Sequence, residues 1–236
     1  MKISIIIIVF ILPLVILAGV LTYFYYQQSN IKDENMSNNA TIIQLPQPLY
    51  QGQLSIEEAI NRRKSIRDYS NQPLTLIEVS QLLWAAQGKN QEGSKVAPSA
   101  GALYSIEIYV VAKNVEGLVA GIYHYLSEDH ALEVHQNTQI DQDLKKAAYD
   151  QSYVEEAPVK IIISGIFART TKKYGERGIQ YVYQESGHIA QNIYLQAESL
   201  GLGTVVVGGF DQKKVDNLFN FKEGQQTLYI MPVGKK

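Results

Sequence analysis

Two kinds of apolar pattern run along the 236-residue chain. Residues Ile3 to Tyr26 contain no charged side chain and consist mostly of Ile, Leu and Val, and about 20 such residues span the core of a bilayer as a helix. From about residue 46 onward, apolar positions instead recur with helical spacing or form short strand-like runs. The sequence therefore predicts a transmembrane anchor at residues 1–26, a polar flexible linker at 27–45 and one folded domain at 46–236.

A cleavable signal peptide is the alternative interpretation of residues 1–26. The apolar run is longer than the about 7–15 residues of a signal sequence, and Ile16 stands where a small residue is expected two positions before Ala18. Lys2 precedes the run, whereas Lys32, Asp33 and Glu34 follow it. The positive-inside bias then predicts a single-pass protein whose folded domain is extracytoplasmic.

Helices are predicted where a capping residue precedes helical spacing. Ser55 with Glu58, and Thr75 with Glu78, have the spacing of capping boxes. The predicted helices run from Ser55 to about Arg63, from Thr75 to Gly88, from Gln139 to Tyr149 and along Thr171–Leu200, where Gly175, Gly178 and Gly187 are expected to interrupt or end helical segments; Asp211 begins a short last helix.

Strands are predicted at runs of β-branched and aromatic residues. They are Ile106–Ala112, the hairpin Gly121–Tyr125 with Ala131–His135, Val159–Ile166, Gly203–Gly208 and Gln226–Val233. Helices and strands alternate without a regular βαβ repeat. The pattern therefore favours an α+β fold, with a mixed β-sheet flanked by helices.

Composition removes several classes of function. The chain has no cysteine, which excludes thiol nucleophiles and disulfides, and its net charge of −2 gives no basis for nucleic-acid binding. Gly201 and Gly203 precede a strand instead of following one, which excludes a dinucleotide-binding fingerprint. His124, His130 and His135 are spread over a hairpin without compact ligand spacing, so no metal site is predicted.

A basic cluster is the densest polar feature of the domain. Arg62-Arg63-Lys64-Ser65-Ile66-Arg67 lies at the end of the first predicted helix. Guanidinium groups bind phosphate oxygens through paired hydrogen bonds, so the cluster is a candidate phosphate clamp. The alternative is a set of solvated cations that complement the end of a helix.

A run of small residues, from Ala97 to Tyr104, is the second candidate feature. Its backbone could approach a flat aromatic ring and donate hydrogen bonds to the polar edge of that ring. An ordinary turn after Pro98 accounts for the same residues equally well.

Several segments together resemble one known family. They are Arg63–Tyr69, Leu82–Gly88, Ala97–Tyr104 with Glu107–Tyr109, Gly121–Tyr125, Tyr174–Gly178, Glu185–Asn192 and Gly201–Thr204. In order and spacing they resemble the nitroreductase superfamily, and more narrowly its SagB-type dehydrogenase branch, over roughly residues 52–235. The resemblance implies a nitroreductase-like fold and an FMN cofactor, which is usually bound between the subunits of a homodimer.

The resemblance also implies roles for individual residues. Arg63, Lys64, Ser65 and Arg67 would hold the FMN phosphate, with Lys235 or Lys236 as a C-terminal basic ligand. The flavin would be lined by Pro98, Ser99, Ala100, Gly101 and Leu103, and Gly208 and Gly209 would approach its ring near N5. Ser105 stands where the branch commonly has proline, and this departure is expected to loosen the turn.

Three functions remain open at this point. The first is an FMN-dependent oxidoreductase that passes hydride or electrons through flavin N5 to or from a small-molecule substrate. The second is an azoline dehydrogenase of peptide modification, in which the pair Lys173 and Tyr174 would act as base, as in some relatives; both could equally be surface residues. The third is a non-catalytic flavin-binding or partner-binding protein anchored to the membrane.

Overall fold

A seven-stranded sheet lies at the centre of residues 41–236, the part of the chain that the computed structural model describes. In chain order its strands are β1 (Ile42–Gln44), β3 (Ile106–Ala112), β5 (Gly121–Leu126), β6 (Ala131–Gln136), β7 (Val159–Ile166), β8 (Leu202–Thr204) and β9 (Gln225–Lys235). They are arranged in the order β1-β6-β5-β3-β7-β9-β8, and every pairing is antiparallel.

The predicted mixed sheet is therefore wrong for this main sheet. Among residues 41–236, parallel pairing occurs in a separate two-stranded ribbon, formed by β2 (Leu74–Thr75) and β4 (Val115–Glu116). The strands β5 and β6 are joined by a short turn, and short connections allow only antiparallel pairing. The coarser prediction, an α+β fold, is confirmed.

Helices cover both faces of the sheet. They are α1 (Ile56–Arg62), α2 (Leu76–Gln87), α3 (Asp141–Ala147), α4 (Ser152–Glu156), α5 (Ala168–Tyr174), α6 (Arg177–Ser199) and α7 (Gln212–Leu218). One apolar core lies between the sheet and the layer of α2 and α6, and a second lies between the sheet and α3, α4 and α7.

Strand β3 illustrates why the sheet is buried on both faces. Ile106, Ile108 and Val110 belong to the first core, whereas Tyr109 and Val111 belong to the second. Successive side chains of a strand point to opposite faces, so an uninterrupted apolar run fits a strand that is covered on both sides. This position in the middle of the molecule anchors the turn that precedes β3.

Several predicted boundaries differ from the observed ones. Ile42–Gln44 pairs with β6, although these residues lie within the stretch 27–45 that was expected to be a flexible linker. Gly175 ends α5 with φ 59°, as expected, but Gly178 and Gly187 both lie inside α6, which is continuous over 23 residues. A glycine inside a helix costs about 1 kcal/mol, which the burial of a long apolar face outweighs.

The predicted anchor, residues 1–26, lies outside the described residues. Among the helices that residues 41–236 form, none is long and apolar enough to cross a membrane.

Candidate functional site

The segment that follows α1 carries the predicted phosphate ligands on the surface of the domain. Two inward side chains fix its path: Ile66 packs against Gly203 of β8, and Tyr69 packs against Gly234 of β9. The Ile66 N–H donates to the carbonyl of Thr204 at 2.9 Å. Residues Lys64, Ser65 and Arg67 alternate with these anchors and are exposed.

Two cations of this segment, Arg63 and Arg67, stack on aromatic rings and are not paired with carboxylates of residues 41–236. Arg62 pairs with Glu58, but within residues 41–236 Arg63 and Arg67 form no ion pair. The guanidinium of Arg63 lies 5.0 Å from the ring centre of Tyr194, and that of Arg67 lies 5.7 Å from the ring centre of Tyr153. Such stacking leaves the N–H groups at the guanidinium edge able to bind an anion.

Tyr194 joins this segment to the residues after β8. Its hydroxyl lies 3.0 Å from the Ser65 hydroxyl and accepts a hydrogen bond from the Val206 N–H at 2.9 Å. Tyr194 could not be predicted from the sequence, because a tyrosine inside a long amphipathic helix has no pattern that distinguishes it from a packing residue.

A second set of contacts links the surroundings of Arg67 to the predicted glycine pair, Gly208 and Gly209. The Gln151 amide donates to the carbonyl of Gly209 at 3.0 Å and also accepts from the hydroxyl of Tyr153, the residue beneath Arg67. Gly208 and Gly209 are exposed, and no atom lies within 4 Å of the position that a Gly209 Cβ would occupy. The fold thus brings Arg63, Ser65 and Arg67 together with the 206–209 segment, beside open space.

Lys235 is placed differently from the other predicted phosphate ligands. Its ammonium lies 3.7 Å from the Glu78 carboxylate of α2, while the Lys236 ammonium is 2.6 Å from Glu198. Both C-terminal lysines are therefore engaged with carboxylates, unlike Arg63 and Arg67.

The predicted flavin-lining residues form a tight turn, residues 97–104, called here the 97–104 turn. A short 3₁₀ segment, Ala100–Ala102, lies within it, and Gly101, Ala102 and Tyr104 have positive φ values of 62°, 54° and 46°. Such values are unfavourable for residues other than glycine. Pro98 is exposed and Leu103 is half-buried.

The expected loosening at Ser105 is not observed. Ser105 is fully buried, its hydroxyl is hydrogen-bonded to that of Thr170 in α5, and its carbonyl accepts the Ile166 N–H at 2.8 Å. These contacts fix the end of the 97–104 turn where β3 begins.

Lys173 and Tyr174, the weak catalytic candidates, converge on this turn. A Cβ added to Gly101 would lie 2.5 Å from the Tyr174 hydroxyl and 2.9 Å from the Lys173 ammonium nitrogen. The Lys173 ammonium is also 5.3 Å from the centre of the Tyr174 ring. Both polar groups therefore lie next to a predicted flavin-lining residue, and glycine is the residue that leaves room for them.

Two charged residues that are not among the predicted site residues also contact the turn. Glu185 of α6 is 3 % exposed and accepts the Ser99 hydroxyl at 2.7 Å. Burial raises the pKa of Glu185, and the hydrogen bond from Ser99 opposes this change. Arg169 of α5 donates to the Tyr104 carbonyl at 2.9 Å and pairs with Glu107 at 2.5 Å.

The three histidines of the predicted hairpin are engaged separately. His124 lies 2.8 Å from Glu107, His130 lies 2.8 Å from both Ser80 and Tyr125, and His135 lies 2.7 Å from the Phe219 carbonyl. In residues 41–236 no group of three potential ligands could hold a metal ion.

The two halves of the candidate site lie apart within one chain. The 97–104 turn contacts α6 at Glu185, and residues 63–67, called here the basic segment, contact it at Tyr194. Nine residues of helix separate these positions by about 13 Å along the axis and by about half a turn around it, so they lie on opposite sides of the helix. The fold brings the phosphate ligands together, but it does not bring the 97–104 turn to them.

Comparison with known proteins identifies relatives along the whole domain. The model of the nitroreductase family matches residues 60–235. A Methanocaldococcus jannaschii protein whose name places it among the nitroreductases is 43% identical over 185 residues, covering 78% of this chain and 92% of that protein. The Escherichia coli microcin B17-processing protein McbC is 30% identical over 159 residues, covering 64% of this chain and 58% of McbC.

Solved structures agree with these matches. The structure of a Ralstonia eutropha protein described as a nitroreductase superposes with a TM-score of 0.74 at 27% identity, over 84% of this chain and 90% of that one. A chain of the E. coli microcin synthetase McbBCD complex, crystallised with truncated pro-MccB17 bound, superposes with a TM-score of 0.64 at 25% identity, over 86% of this chain and 80% of that one.

Proposed function

The chain belongs to the nitroreductase family, and from that premise we propose that it is an FMN-dependent oxidoreductase acting on a small molecule. The observation that carries the proposal is a pair of cations, Arg63 and Arg67, that have no acidic partner within residues 41–236 and lie beside the exposed Gly208-Gly209 backbone. Their arrangement matches the requirements of a flavin phosphate.

The chemistry of the donor set supports FMN at this position. A phosphate dianion needs several hydrogen-bond donors that are not already neutralised, and Arg63, Lys64, Ser65 and Arg67 lie together on one exposed segment. Each charge-assisted hydrogen bond contributes about 1.5–3 kcal/mol, so three or four suffice to retain a non-covalent cofactor. Lys235 contributes less in this proposal, because Glu78 already pairs with it.

A second copy of the chain would complete the site. Because the 97–104 turn and the basic segment lie on opposite sides of α6, we place the flavin between the basic segment of one copy and the turn of the other. Large apolar side chains are exposed on the segment before α1 and on α1 and α2, namely Leu49, Tyr50, Ile56, Ile60 and Ile77. Exposed apolar patches of this kind commonly mark protein interfaces, which supports a homodimer.

When bound, FMN supplies the redox chemistry by accepting or giving up hydride. The protein's own residues have simpler tasks. Arg63, Ser65 and Arg67 would hold the phosphate, the backbone of the 97–104 turn would line the ring, and Gly208 and Gly209, which have no side chains, would allow close approach. Such an arrangement orients substrate and cofactor without a dedicated acid or base.

The test is the visible absorbance of the purified full chain after incubation with FMN. We expect flavin bands to co-purify with the protein, and Arg63→Gln/Arg67→Gln to lose them without losing the fold. Arg62→Gln is the matched control, because Arg62 is already paired with Glu58. A wild-type protein without flavin bands would refute the proposal, and flavin that no donor reduces under anaerobic conditions would favour the non-catalytic alternative.

A second candidate function is oxidation of azoline rings in a modified peptide. It is favoured by the convergence of Lys173 and Tyr174 on Gly101 and by the similarity to McbC, named as a microcin B17-processing protein. Aromatising such a ring removes a proton as well as a hydride, and a lysine beside a tyrosine hydroxyl can accept that proton.

This candidate is tested with a thiazoline-containing peptide and the loaded protein. Tyr174→Phe and Lys173→Ala should each abolish ring oxidation while FMN remains bound. Lys172→Ala, one residue earlier and exposed, should leave the rate unchanged. Oxidation at the wild-type rate in both test variants would remove the proposed base, and no oxidation by the wild type would exclude azoline rings as the substrate.

We further propose that residues 1–26 anchor the protein with its domain outside the cytoplasm. The support is the uncharged apolar run and the charge asymmetry around it. Cytosolic NAD(P)H would then be out of reach, and a membrane quinone, a redox protein or the substrate itself would be the electron donor. C-terminal reporter fusions test this: activity only from a reporter that works in the cytosol would exclude the orientation.

A further inference from the structure

We propose that Glu185 and Arg169 are positioning residues that hold the 97–104 turn in the conformation that receives the flavin ring. The inference rests on the proposed function. Neither residue is among the predicted cofactor ligands. Glu185 lies on α6 and Arg169 lies on α5, and both contact the same turn.

The turn needs to be held because its backbone is in an unfavourable conformation. Gly101, Ala102 and Tyr104 all have positive φ, and two of them carry side chains. Residues persist in this region only when the surrounding structure forces them to, and they concentrate at functional sites.

Glu185 holds the turn through Ser99. Its carboxylate accepts the Ser99 hydroxyl at 2.7 Å, and the Ser99 oxygen in turn accepts the Tyr104 N–H at 2.9 Å. The Ser99 hydroxyl is therefore engaged on both sides and faces the protein. In the complete site Ser99 would contact the ring through its backbone, with its side chain serving to fix the turn.

Arg169 holds the turn through the carbonyl group of Tyr104. One of its nitrogens donates to the Tyr104 carbonyl at 2.9 Å, and another pairs with Glu107 at 2.5 Å. Glu107 is itself held by His124 at 2.8 Å. Both backbone polar groups of the strained Tyr104 are thus bound, the N–H by Ser99 and the carbonyl by Arg169.

The surroundings of Glu185 make its charge important. Burial raises the pKa of its carboxyl, while the Ser99 hydroxyl, the backbone N–H groups of Ser105 and Ile106 and the nearby Lys95 act in the opposite direction. A glutamine at this position keeps the size and one acceptor oxygen. Its amide N–H₂ would, however, face donors, so at least one of the contacts to the turn must break.

Two substitutions test the inference: Glu185→Gln, and Arg169→Lys, whose one ammonium nitrogen cannot occupy the two separate positions from which the guanidinium nitrogens reach Tyr104 and Glu107. Glu223→Gln, on the exposed loop before β9, is the matched control. Ser99→Ala is a further variant, which removes the hydrogen bonds of the Ser99 hydroxyl to Glu185 and Tyr104 with less disturbance of the core. Thermal unfolding establishes that each variant folds.

The first measurement does not involve the cofactor. Hydrogen exchange of the amide groups of the turn, Tyr104 above all, should become at least tenfold faster in Glu185→Gln and Ser99→Ala, and stay unchanged in Glu223→Gln. Exchange at the wild-type rate in all variants would overturn the inference, whatever the cofactor proves to be.

The second measurement separates positioning from general stability. In the full-length protein we expect FMN to bind about tenfold more weakly in Glu185→Gln and Arg169→Lys, equivalent to ~1.4 kcal/mol, and the visible spectrum of the saturated complex to shift. Arg67→Gln should also bind FMN more weakly but saturate with the wild-type spectrum, because it contacts the phosphate end.

The outcomes distinguish the two proposals. A wild-type protein that binds no flavin contradicts the proposed function, while the exchange experiment still decides the role of Glu185. Wild-type affinity and spectrum in both Glu185→Gln and Arg169→Lys, with flavin bound to the parent protein, would contradict the positioning role alone.

Discussion

At the scale of single residues, a buried ion pair lies on the face of the sheet opposite α6. Lys160 of β7 is fully buried, and its ammonium donates to the carboxylate of Asp141, the first residue of α3. Burial lowers the pKa of Lys160 to about 8, although Asp141 acts in the opposite direction. The folded protein therefore binds this proton less tightly than the unfolded chain does.

The stability of the protein should depend on pH through this group. Between about pH 8 and 10 the unfolded chain holds more protons at this lysine than the folded one, so the free energy of unfolding rises with pH. We expect the wild type to gain about 2 kcal/mol over this range relative to Lys160→Met, since one pKa unit corresponds to ~1.4 kcal/mol. Urea unfolding at several pH values measures the difference.

The exposed pair Lys146 and Asp143 supplies the control for this experiment. Lys146→Met should give a curve parallel to the wild type over the same pH range. A Lys160→Met curve that is also parallel to the wild type would show that Lys160 titrates normally in the fold.

A second residue-scale prediction concerns Gly101, the point where Lys173 and Tyr174 converge. Gly101→Ala combines an unfavourable positive φ with a Cβ only 2.5 Å from the Tyr174 hydroxyl. Gly93 also has positive φ, but nothing lies within 4 Å of its Cβ position. Gly93→Ala therefore isolates the backbone cost, about 1 kcal/mol. Gly101→Ala should destabilise the protein by up to ~1 kcal/mol more, because the atoms that its Cβ meets are the ends of two side chains that can shift.

Thermal and urea unfolding of the two alanine variants measure this difference. Equal destabilisation at the two positions would mean that Lys173 and Tyr174 move aside at no cost. The convergence of their polar groups on the turn would then not be a rigid feature of the site.

At the scale of elements, α6 organises the candidate site. It carries Glu185 toward the 97–104 turn and Tyr194 toward the basic segment, and it is the central helix of the first core. Its two internal glycines were expected to interrupt it, but they have different surroundings. A Cβ on Gly178 would lie 2.8 Å from the backbone of Thr171, whereas nothing lies within 4 Å of the Cβ position of Gly187.

The two glycines should therefore respond oppositely to alanine. Gly178→Ala should cost about 2 kcal/mol or more, because backbone of α5 cannot move aside without displacing Lys173 and Tyr174. Gly187→Ala should be neutral or stabilise by up to about 1 kcal/mol, the gain of alanine over glycine inside a helix. Unfolding midpoints compare the two, and a strongly destabilising Gly187→Ala would indicate that another chain packs on this face of α6.

At the scale of the whole molecule, the separation of the two half-sites on α6 makes a specific prediction about assembly. A protein defective in the basic segment, Arg63→Gln/Arg67→Gln, and one defective in the turn, Gly101→Trp, should each bind little FMN. Co-expressed, they should form mixed dimers in which one of the two sites contains both intact halves.

Random pairing of the two variants would restore about a quarter of the wild-type sites, since half of the dimers are mixed and each has one intact site. Flavin absorbance per chain, with the oligomeric state from light scattering, measures this fraction. A chain carrying all three substitutions is the control and should bind none. No recovery in demonstrably mixed dimers would place both halves of the site within one chain.

Local patterns predicted a large part of this fold. The capping box of Thr75 and Glu78 is present at the start of α2, and β3 and β7 have the predicted bounds. Capping and apolar periodicity depend on neighbours in sequence, so they are visible there. Strand β8 and the interior glycines of α6 were mispredicted, because their conformation depends on long-range pairing and burial.

The sequence by itself determined most of the elements, the exposed run of cations after α1 and the family to which these motifs belong. Only the tertiary structure decided which distant side chains meet: Tyr194 with Ser65, Glu185 with Ser99, and Lys173 and Tyr174 with Gly101. It also decided that the two half-sites lie on opposite sides of α6. The physical reason is that periodicity specifies which face of an element is apolar, whereas contacts between elements depend on how those faces pack.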